Sequence, residues 1–286
     1  MKTLIQVPAN IKIARFLSHA AVEALLEEVR LSPKPGLVDS CDNGCHDDLS
    51  LDLMEKSAIS LESSFYEMAL AASQIEPSQR LRERLAAIGR YGEQTMLEAT
   101  GNVNTHKGAI WAIGLLCASA STLLCTSNGG TLLNEDILEL AGSIAKFEDR
   151  FLPLQKTKGG KVRSRYKVRS AREEAIEGFP SLRDLALPAR KHFQGQPESI
   201  IQLNVLLTLM ANVDDTCILH RSNMQVLQSI KFMAAEILQN GGLNDAENWI
   251  KYLKLDAFII NNWVSPGGSA DLLAASIFLN KITQHF

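Results

Sequence analysis

The 286-residue sequence predicts an all-α protein, a single multi-helix globular domain with a central buried helix and functional loops at helix N-termini. Three observations carry that prediction. Apolar residues recur at helical spacing in one segment after another. Clusters of proline, glycine and small polar residues separate those segments. Only the basic stretch around residues 161–169 shows the alternation expected of an extended segment. With no tandem repeat and no internal linker long enough to divide the chain, residues 1–286 read as one domain.

The first element is Ile11–Leu31, with Ile13, Phe16, Leu17, Ala20, Ala21, Ala24 and Leu25 on one face and acids plus Arg30 opposite. It stops at Ser32-Pro33-Lys34-Pro35-Gly36, where two prolines and a glycine forbid continuation. Leu37–Asp48 is poor in apolar residues and rich in Asp39, Asp42, Asn43, His46, Asp47 and Asp48, the composition of a functional loop. Leu49–Ser73 and Gln79–Ala99 read as two helices separated by Glu76-Pro77-Ser78.

The turn Thr100-Gly-Asn-Val-Asn-Thr-His-Lys-Gly108 then leads into an uncharged segment, Ala109–Cys125, so Thr105 is the expected N-cap and His106, Lys107 and Gly108 the first helical turn. A lysine is badly placed there unless an anion sits beside it, because the helix N-terminus is already positive. A phosphate would turn that cost into binding, with Asn104 and Thr105 beside it; an ordinary turn and cap accounts for the same residues. Gly108–Cys125 reaches the lower length limit for a membrane span, but Ser119, Ser121, Thr122 and the lack of a flanking basic cluster favour a helix buried on all sides.

Ser127-Asn128-Gly129-Gly130 signals a turn, and Leu132–Phe151 the next helix. Lys156–Arg172 holds eight cations, one tyrosine and no acid, with Lys161, Arg163, Arg165, Lys167 and Arg169 on every second residue. In an extended segment these share one side; a solvated loop and a clamp for a polyanionic small molecule both fit. Ser170-Ala-Arg-Glu173 has the form of a capping box and opens a short helix ending at Gly178-Phe179-Pro180. Leu187-Pro188 is a further break, Pro197 precedes a long helix Ile200–Arg221, and helices follow over Met224–Gln239 and Ala246–Val264. Ser265-Pro266-Gly267-Gly268 introduces the last, Ser269–Thr283, with exposed amides and a serine cap forming a second anion cradle.

A formal charge of −3 from 29 basic and 32 acidic residues offers no global positive field, so no nucleic-acid partner is expected and any anion site is local. No membrane partner is expected either. The five cysteines, Cys41, Cys45, Cys117, Cys125 and Cys217, suit free thiols in a reducing, cytoplasmic setting. Met1–Asn10 carries no pattern of a secretory signal.

Acids, bases and ligands gather in four places: Asp39, His46 and Asp48; Glu93 and Glu98; Arg172 and Glu174; and Asp214 with Asp215 inside an apolar helix. The last two carboxylates are expensive to bury unless ionised against a cation or metal. One can ligate a metal while the other orients a water or a base. Scattered oxygen ligands suit Mg²⁺ bridging protein and substrate phosphates. Zinc has short spacings at Cys41, Cys45 and His46, and at Cys217 and His220, but no matched second pair. His19, His192 and His285 read as surface or packing residues. Known phosphate-loop motifs and a nucleophile elbow are absent from the sequence.

Five stretches in order, from residue 32 to residue 274, resemble the triphosphoribosyl-dephospho-CoA synthase family. They are Ser32-Pro-Lys-Pro-Gly-Leu-Val-Asp39 with Gly44-x-His46-x-Asp48; Thr100–Ile110; Ala171-Arg172-x-Glu174-Ala175 with Gly178-Phe-Pro180; Asp214-Asp-Thr-Cys217 with His220-Arg221; and Ser265-Pro-Gly-Gly-Ser-Ala-Asp-Leu-Leu-Ala274. The forms Asp214-Asp-Thr-Cys-x-Leu-His-Arg221 and Gly108-Ala-Ile-Trp-Ala-Ile-Gly-Leu-Leu116 look most like the malonate decarboxylase branch, with the citrate lyase branch the near relative.

The resemblance implies an all-α enzyme that joins ATP to 3′-dephospho-CoA and releases adenine. Its product, 2′-(5″-triphosphoribosyl)-3′-dephospho-CoA, passes to a transferase that modifies a carrier protein; a homo-oligomer is compatible. Proton transfer then falls to His106 or His46, with Glu174 a further catalytic candidate, and the role of Mg²⁺ ligand or oxocarbenium stabiliser to Asp214 or Asp215. Asp39 and Asp48 are further metal candidates, with Mg²⁺ expected alongside ATP. Lys34, Asn104, Thr105, Lys107, Arg172, Arg221 and the Gly267-Gly268-Ser269 helix start are expected to bind substrate. Asn102 stands where the family has a second glycine, Ser222-Asn223 replace a glycine pair, Ser170 and Glu173 replace glycines beside Arg172, and Ser40-Cys41 replace arginines. A Mg²⁺-dependent hydrolase of nucleotides or ADP-ribose, and a non-catalytic assembly partner, are the rival readings.

Overall fold

Of the twenty residues of α5 (Lys107–Thr126) only the first, Lys107, is charged, and the other helices are laid around this helix. The computed structural model describes residues 7–126, 131–152 and 158–286. Among these residues every regular element is helical, as the sequence predicts. α5 packs against α1 (Ala9–Arg30), α3 (Glu62–Ala72), α4 (Gln79–Ala99), α6 (Asn134–Lys146), α8 (Ala171–Ile176) and α14 (Gly267–His285). Its Ile110, Ile113, Leu116, Cys117 and Ala120 are buried, and each large apolar side chain so placed contributes roughly 1.5–3 kcal/mol. Gly114 allows the close approach of α3, since a β-carbon there would lie 2.5 Å from the Met68 sulfur.

The hydroxyls of this segment find partners inside the protein. Ser121 donates to the Ala69 carbonyl at 2.7 Å and Thr122 to the Ala72 carbonyl at 3.1 Å. α5 is the one described helix long and apolar enough to cross a membrane, and it is mostly buried within the fold. α10 (Glu198–Asn212) extends the core against α14, α12 (Met224–Gln239) packs on α10, and α13 (Ala246–Asn261) packs on α12.

Several boundaries differ from the sequence expectation. The segment 49–73 is two helices, α2 (Leu51–Ser60) and α3, with the junction at buried Leu61. The helix expected over 132–151 is α6 alone, because Phe147 turns extended. The basic stretch is α7 (Lys158–Tyr166) rather than extended chain. Val162 and Tyr166, one turn apart, give it an inward face, so its cations do not line one side.

Leu187-Pro188 does not break the chain. A π-helical turn over Ser181–Ala186 runs into α9 (Leu187–His192), whose first turn accommodates Pro188. The long helix expected over 200–221 is broken: α10 ends at Asn212, Val213 is extended, and Asp215 caps α11 (Thr216–Arg221). The turn expected at Ser127–Gly130, residues 1–6 of the N-terminal reading and Lys156 lie outside the described residues.

Candidate active site

Loop 32–48 is folded by carboxylates on backbone amides. Asp39 accepts from the amides of Lys34 at 2.7 Å, Cys41 at 2.6 Å and Asp42 at 3.2 Å. Asp256 accepts from the Gly36 amide at 3.0 Å, and the Tyr252 hydroxyl donates to the Pro33 carbonyl at 2.7 Å. Gly36 has φ +62°, and a β-carbon there would lie 2.9 Å from the Val264 carbonyl oxygen, so only glycine fits. The loop so held turns Lys34 inward. Its ammonium donates to the Glu28 carboxylate and to the Glu28 carbonyl, each at 2.6 Å, and the two side chains are 1% and 5% exposed.

The start of α5 is reached through a left-handed turn, Gly101 at φ +64° and Asn102 at φ +71°. The Thr100 hydroxyl ties that turn to the Met96 carbonyl at 2.7 Å and the Val103 carbonyl at 2.6 Å. α5 begins at Lys107, one residue later than a Thr105 cap requires, and the Thr105 hydroxyl instead meets Ser57 Oγ at 2.5 Å. Ser57 Oγ also meets His106 Nδ1 at 2.8 Å. His106 is 3% exposed, and its Nε2 is buried with no protein partner. Burial, assisted by the Lys34 ammonium, lowers its pKa from 6.5 to about 4, so the ring is neutral at neutral pH.

Asp215 binds two helix starts together. One oxygen accepts from the amides of Cys217 at 2.8 Å and Ile218 at 3.4 Å; the other accepts from the Ser269 amide at 2.8 Å and the Ser269 hydroxyl at 3.0 Å. The anion expected at the last helix is thus met by a carboxylate of the protein itself. α14 begins at Gly267 after Pro266, so Ser269 sits inside its first turn instead of capping it. Burial pushes the Asp215 carboxyl upward, and these donors pull it back.

Asp271 stands at the first turn of α5. The Ala109 amide donates to it, and a β-carbon on Gly108 would fall 2.0 Å from its Oδ2. Burial and the charges of Glu28 and Asp215 push its carboxyl well above the usual range.

His46 belongs to an adjoining arm of the site. Arg221 donates to the Cys45 carbonyl at 2.6 Å and to His46 Nδ1 at 3.1 Å, which leaves His46 Nε2–H to donate to Ser265 Oγ at 3.0 Å. Burial and the Arg221 charge lower the His46 pKa to about 4. Both its ring nitrogens are therefore engaged.

The remaining sequence candidates lie further out. Glu174 accepts from the Ser181 amide at 2.7 Å and from Arg169 at 3.3 Å. Arg172 is exposed, 4.0 Å from Glu148, but the Trp111 indole of α5 donates to the neighbouring Ala171 carbonyl at 3.0 Å and ties α8 to the site. Lys107 pairs with Glu93 at 2.5 Å, Asn104 is exposed, and Asp214 pairs with Lys231 at 2.7 Å. Asp48 is largely exposed, 3.9 Å from the His46 ring.

Asp39, Asp48 and Asp214 do not come together, and among the described residues no group of three or more His, Cys, Asp or Glu side chains could hold a metal ion. These residues do not fit a protein-built Mg²⁺ cage or a zinc site. The cysteines are free thiols. Sequence reasoning missed Glu28, Ser57 and Asp271. Glu28 reads as one more solvated acid of an amphipathic helix, and Asp271 as an ordinary first-turn acid, although it lies in the Ser265–Ala274 stretch.

The sequence profile of a family described as ATP:dephospho-CoA triphosphoribosyl transferase matches residues 14–286. A Klebsiella pneumoniae protein named 2-(5''-triphosphoribosyl)-3'-dephosphocoenzyme-A synthase is 42% identical over 284 residues, 99% of each chain. A Pseudomonas fluorescens protein named "Probable 2-(5''-triphosphoribosyl)-3'-dephosphocoenzyme-A synthase" is 44% identical over 274 residues, covering 94% of this chain and 92% of its own. No solved structure matches the chain.

Proposed function

The chain belongs to the ATP:dephospho-CoA triphosphoribosyl transferase family, and from that premise we propose that the centre between the starts of α5 and α14 joins ATP to 3′-dephospho-CoA with release of adenine. One observation carries the placement: a buried imidazole, His106, has an unused ring nitrogen, with Lys34 of the first sequence stretch beside it and Gly108 of its own stretch set against Asp271 of the fifth. A neutral ring with a free nitrogen is the form that accepts a proton.

Cleavage of the N-glycosidic bond of ATP builds positive charge on the ribose, which the carboxylates of Glu28 and Asp215 stabilise through a water-poor interior. His106 Nε2 takes the proton of the acceptor 2′-hydroxyl as the new bond to the ribosyl carbon forms. Asp215 also keeps the two helix starts in register. The retained triphosphate needs cations, and Lys107, Arg172 and Arg221 offer charge at or near the rim, whereas Lys34 is already paired with Glu28. Mg²⁺ is proposed to arrive with the ATP. The motif forms around Asp214–Arg221 and Gly108–Leu116 favour the malonate decarboxylase system, whose carrier-modifying transferase would take the product.

The residues that replace glycines fit their places in the backbone. Asn102 adopts φ +71°, a left-handed conformation that asparagine tolerates better than most residues. Ser222 has φ −143° and Asn223 caps α12, while Ser170 and Glu173 complete a capping box on α8. The test is mass spectrometry of purified protein with ATP, Mg²⁺ and 3′-dephospho-CoA, and with each omitted. Adenine together with an adduct heavier by one triphosphoribosyl unit is expected only in the complete mixture. Adenine without the acceptor would indicate a hydrolase instead.

A further inference from the structure

Three carboxyls and one ammonium meet at this site: buried Glu28 of α1, buried Asp215 ahead of α11, half-buried Asp271 of α14, and buried Lys34 from the first loop. Fully ionised they carry two uncompensated negative charges, a large cost away from water. Compensation is uneven. Glu28 has the Lys34 ammonium at 2.6 Å, and Asp215 has two donors on each oxygen. Asp271 receives the Ala109 amide alone and faces both other carboxylates. The remaining titratable groups around it are Cys217 from α11 and, beyond Glu28, Lys34 and His106. A proton retained by this centre therefore resides on Asp271.

We propose that Asp271 is the general acid of the transfer, giving its proton to the adenine that leaves as His106 takes one from the acceptor hydroxyl. The step balances. The ribosyl carbon–nitrogen bond breaks and its electron pair goes to adenine, which gains the Asp271 proton. The ribosyl carbon bonds to the acceptor 2′-oxygen, whose proton passes to His106. One acid becomes a carboxylate, one neutral imidazole becomes a cation, and proton return from imidazolium to carboxylate resets the centre. Gly108 is the matching feature in the scaffold, since a β-carbon there would fall 2.0 Å from Asp271 Oδ2 and displace the carboxyl. The unpartnered His106 Nε2 marks where the acceptor enters.

This inference rests on the transferase reading, and the assay separates the two. The wild type must first release adenine in an acceptor-dependent way; if it does not, the reading of the site fails. Given that activity, kcat/KM for ATP is measured from pH 6 to 9.5 for wild type, Asp271→Asn and Asp271→Glu. A general acid works only while protonated, so wild-type activity should fall on the alkaline side. Asp271→Asn, which keeps the shape and still accepts from Ala109, should lose about 10²-fold or more and lose that alkaline limb. Asp271→Glu should restore part of the rate with a limb of its own. An Asn variant within threefold of wild type, or one retaining the same limb, would overturn the proposal. So would a wild type with no alkaline limb, a result that needs no variant to fold.

Discussion

The two imidazoles of the site, His106 and His46, are both held to a pKa of about 4 against an ordinary 6.5. Between those values the unfolded chain takes up protons that the folded chain refuses, so stability rises with pH there. The contribution is complete above about pH 6.5 and is lost as pH falls through about 4, and a shift of this size in His106 corresponds to roughly 3 kcal/mol. Denaturant titrations at pH 7.5, 5.5 and 4.5 should show the wild type weakening toward acid more steeply than His106→Asn. Equal slopes would contradict the burial of a neutral ring. At this scale the sequence made polar residues in loops visible, because Asp39, His46 and His106 have no packing role to explain them. Glu28 was hidden: its neighbours Glu23 and Glu27 obey the same amphipathic pattern, and only the loop that returns Lys34 to it makes it a buried partner.

At the scale of elements, α5 and its Gly108 join packing to chemistry. In an exposed helix, Gly to Ala gains about 1 kcal/mol from propensity. Here the added carbon would sit 2.0 Å from the Asp271 carboxyl, and overpacking of this kind costs about 1–3 kcal/mol. Gly108→Ala should therefore lower kcat/KM by about 10²-fold through displacement of the carboxyl, without raising the melting temperature. A more stable variant with full activity would refute the contact. Helix starts and stops were legible where proline, glycine or a cap residue marks them, as at Ser78 and Asp245. The break at Val213–Asp215 was not, because apolar residues flank it on both sides; there Asp215 caps α11 and also holds the distant Ser269 amide. The helical form of α7 was equally hidden: alternating charges suggest extended chain, and buried Val162 decides otherwise.

For the whole molecule, a central helix with no charge beyond Lys107 gives the bundle its axis, and carboxylates from elsewhere meet its first turn and that of α14. The fold class was legible because helical periodicity repeats through nearly the entire chain. The site was legible as a set of stretches but not as a geometry. Sequence order cannot reveal that the anions met at two helix starts are Asp215 and Asp271 of the protein, or that Asp214 and Asp215 diverge, one to Lys231 and the other to Ser269. In the proposed transfer His106 takes the acceptor's proton in this buried centre. Its most direct test is the rate of adenine release from ATP and 3′-dephospho-CoA by His106→Asn, with circular dichroism to show that the variant is folded. A fall of about 10²–10⁴-fold is predicted; a folded variant with wild-type turnover would contradict that role.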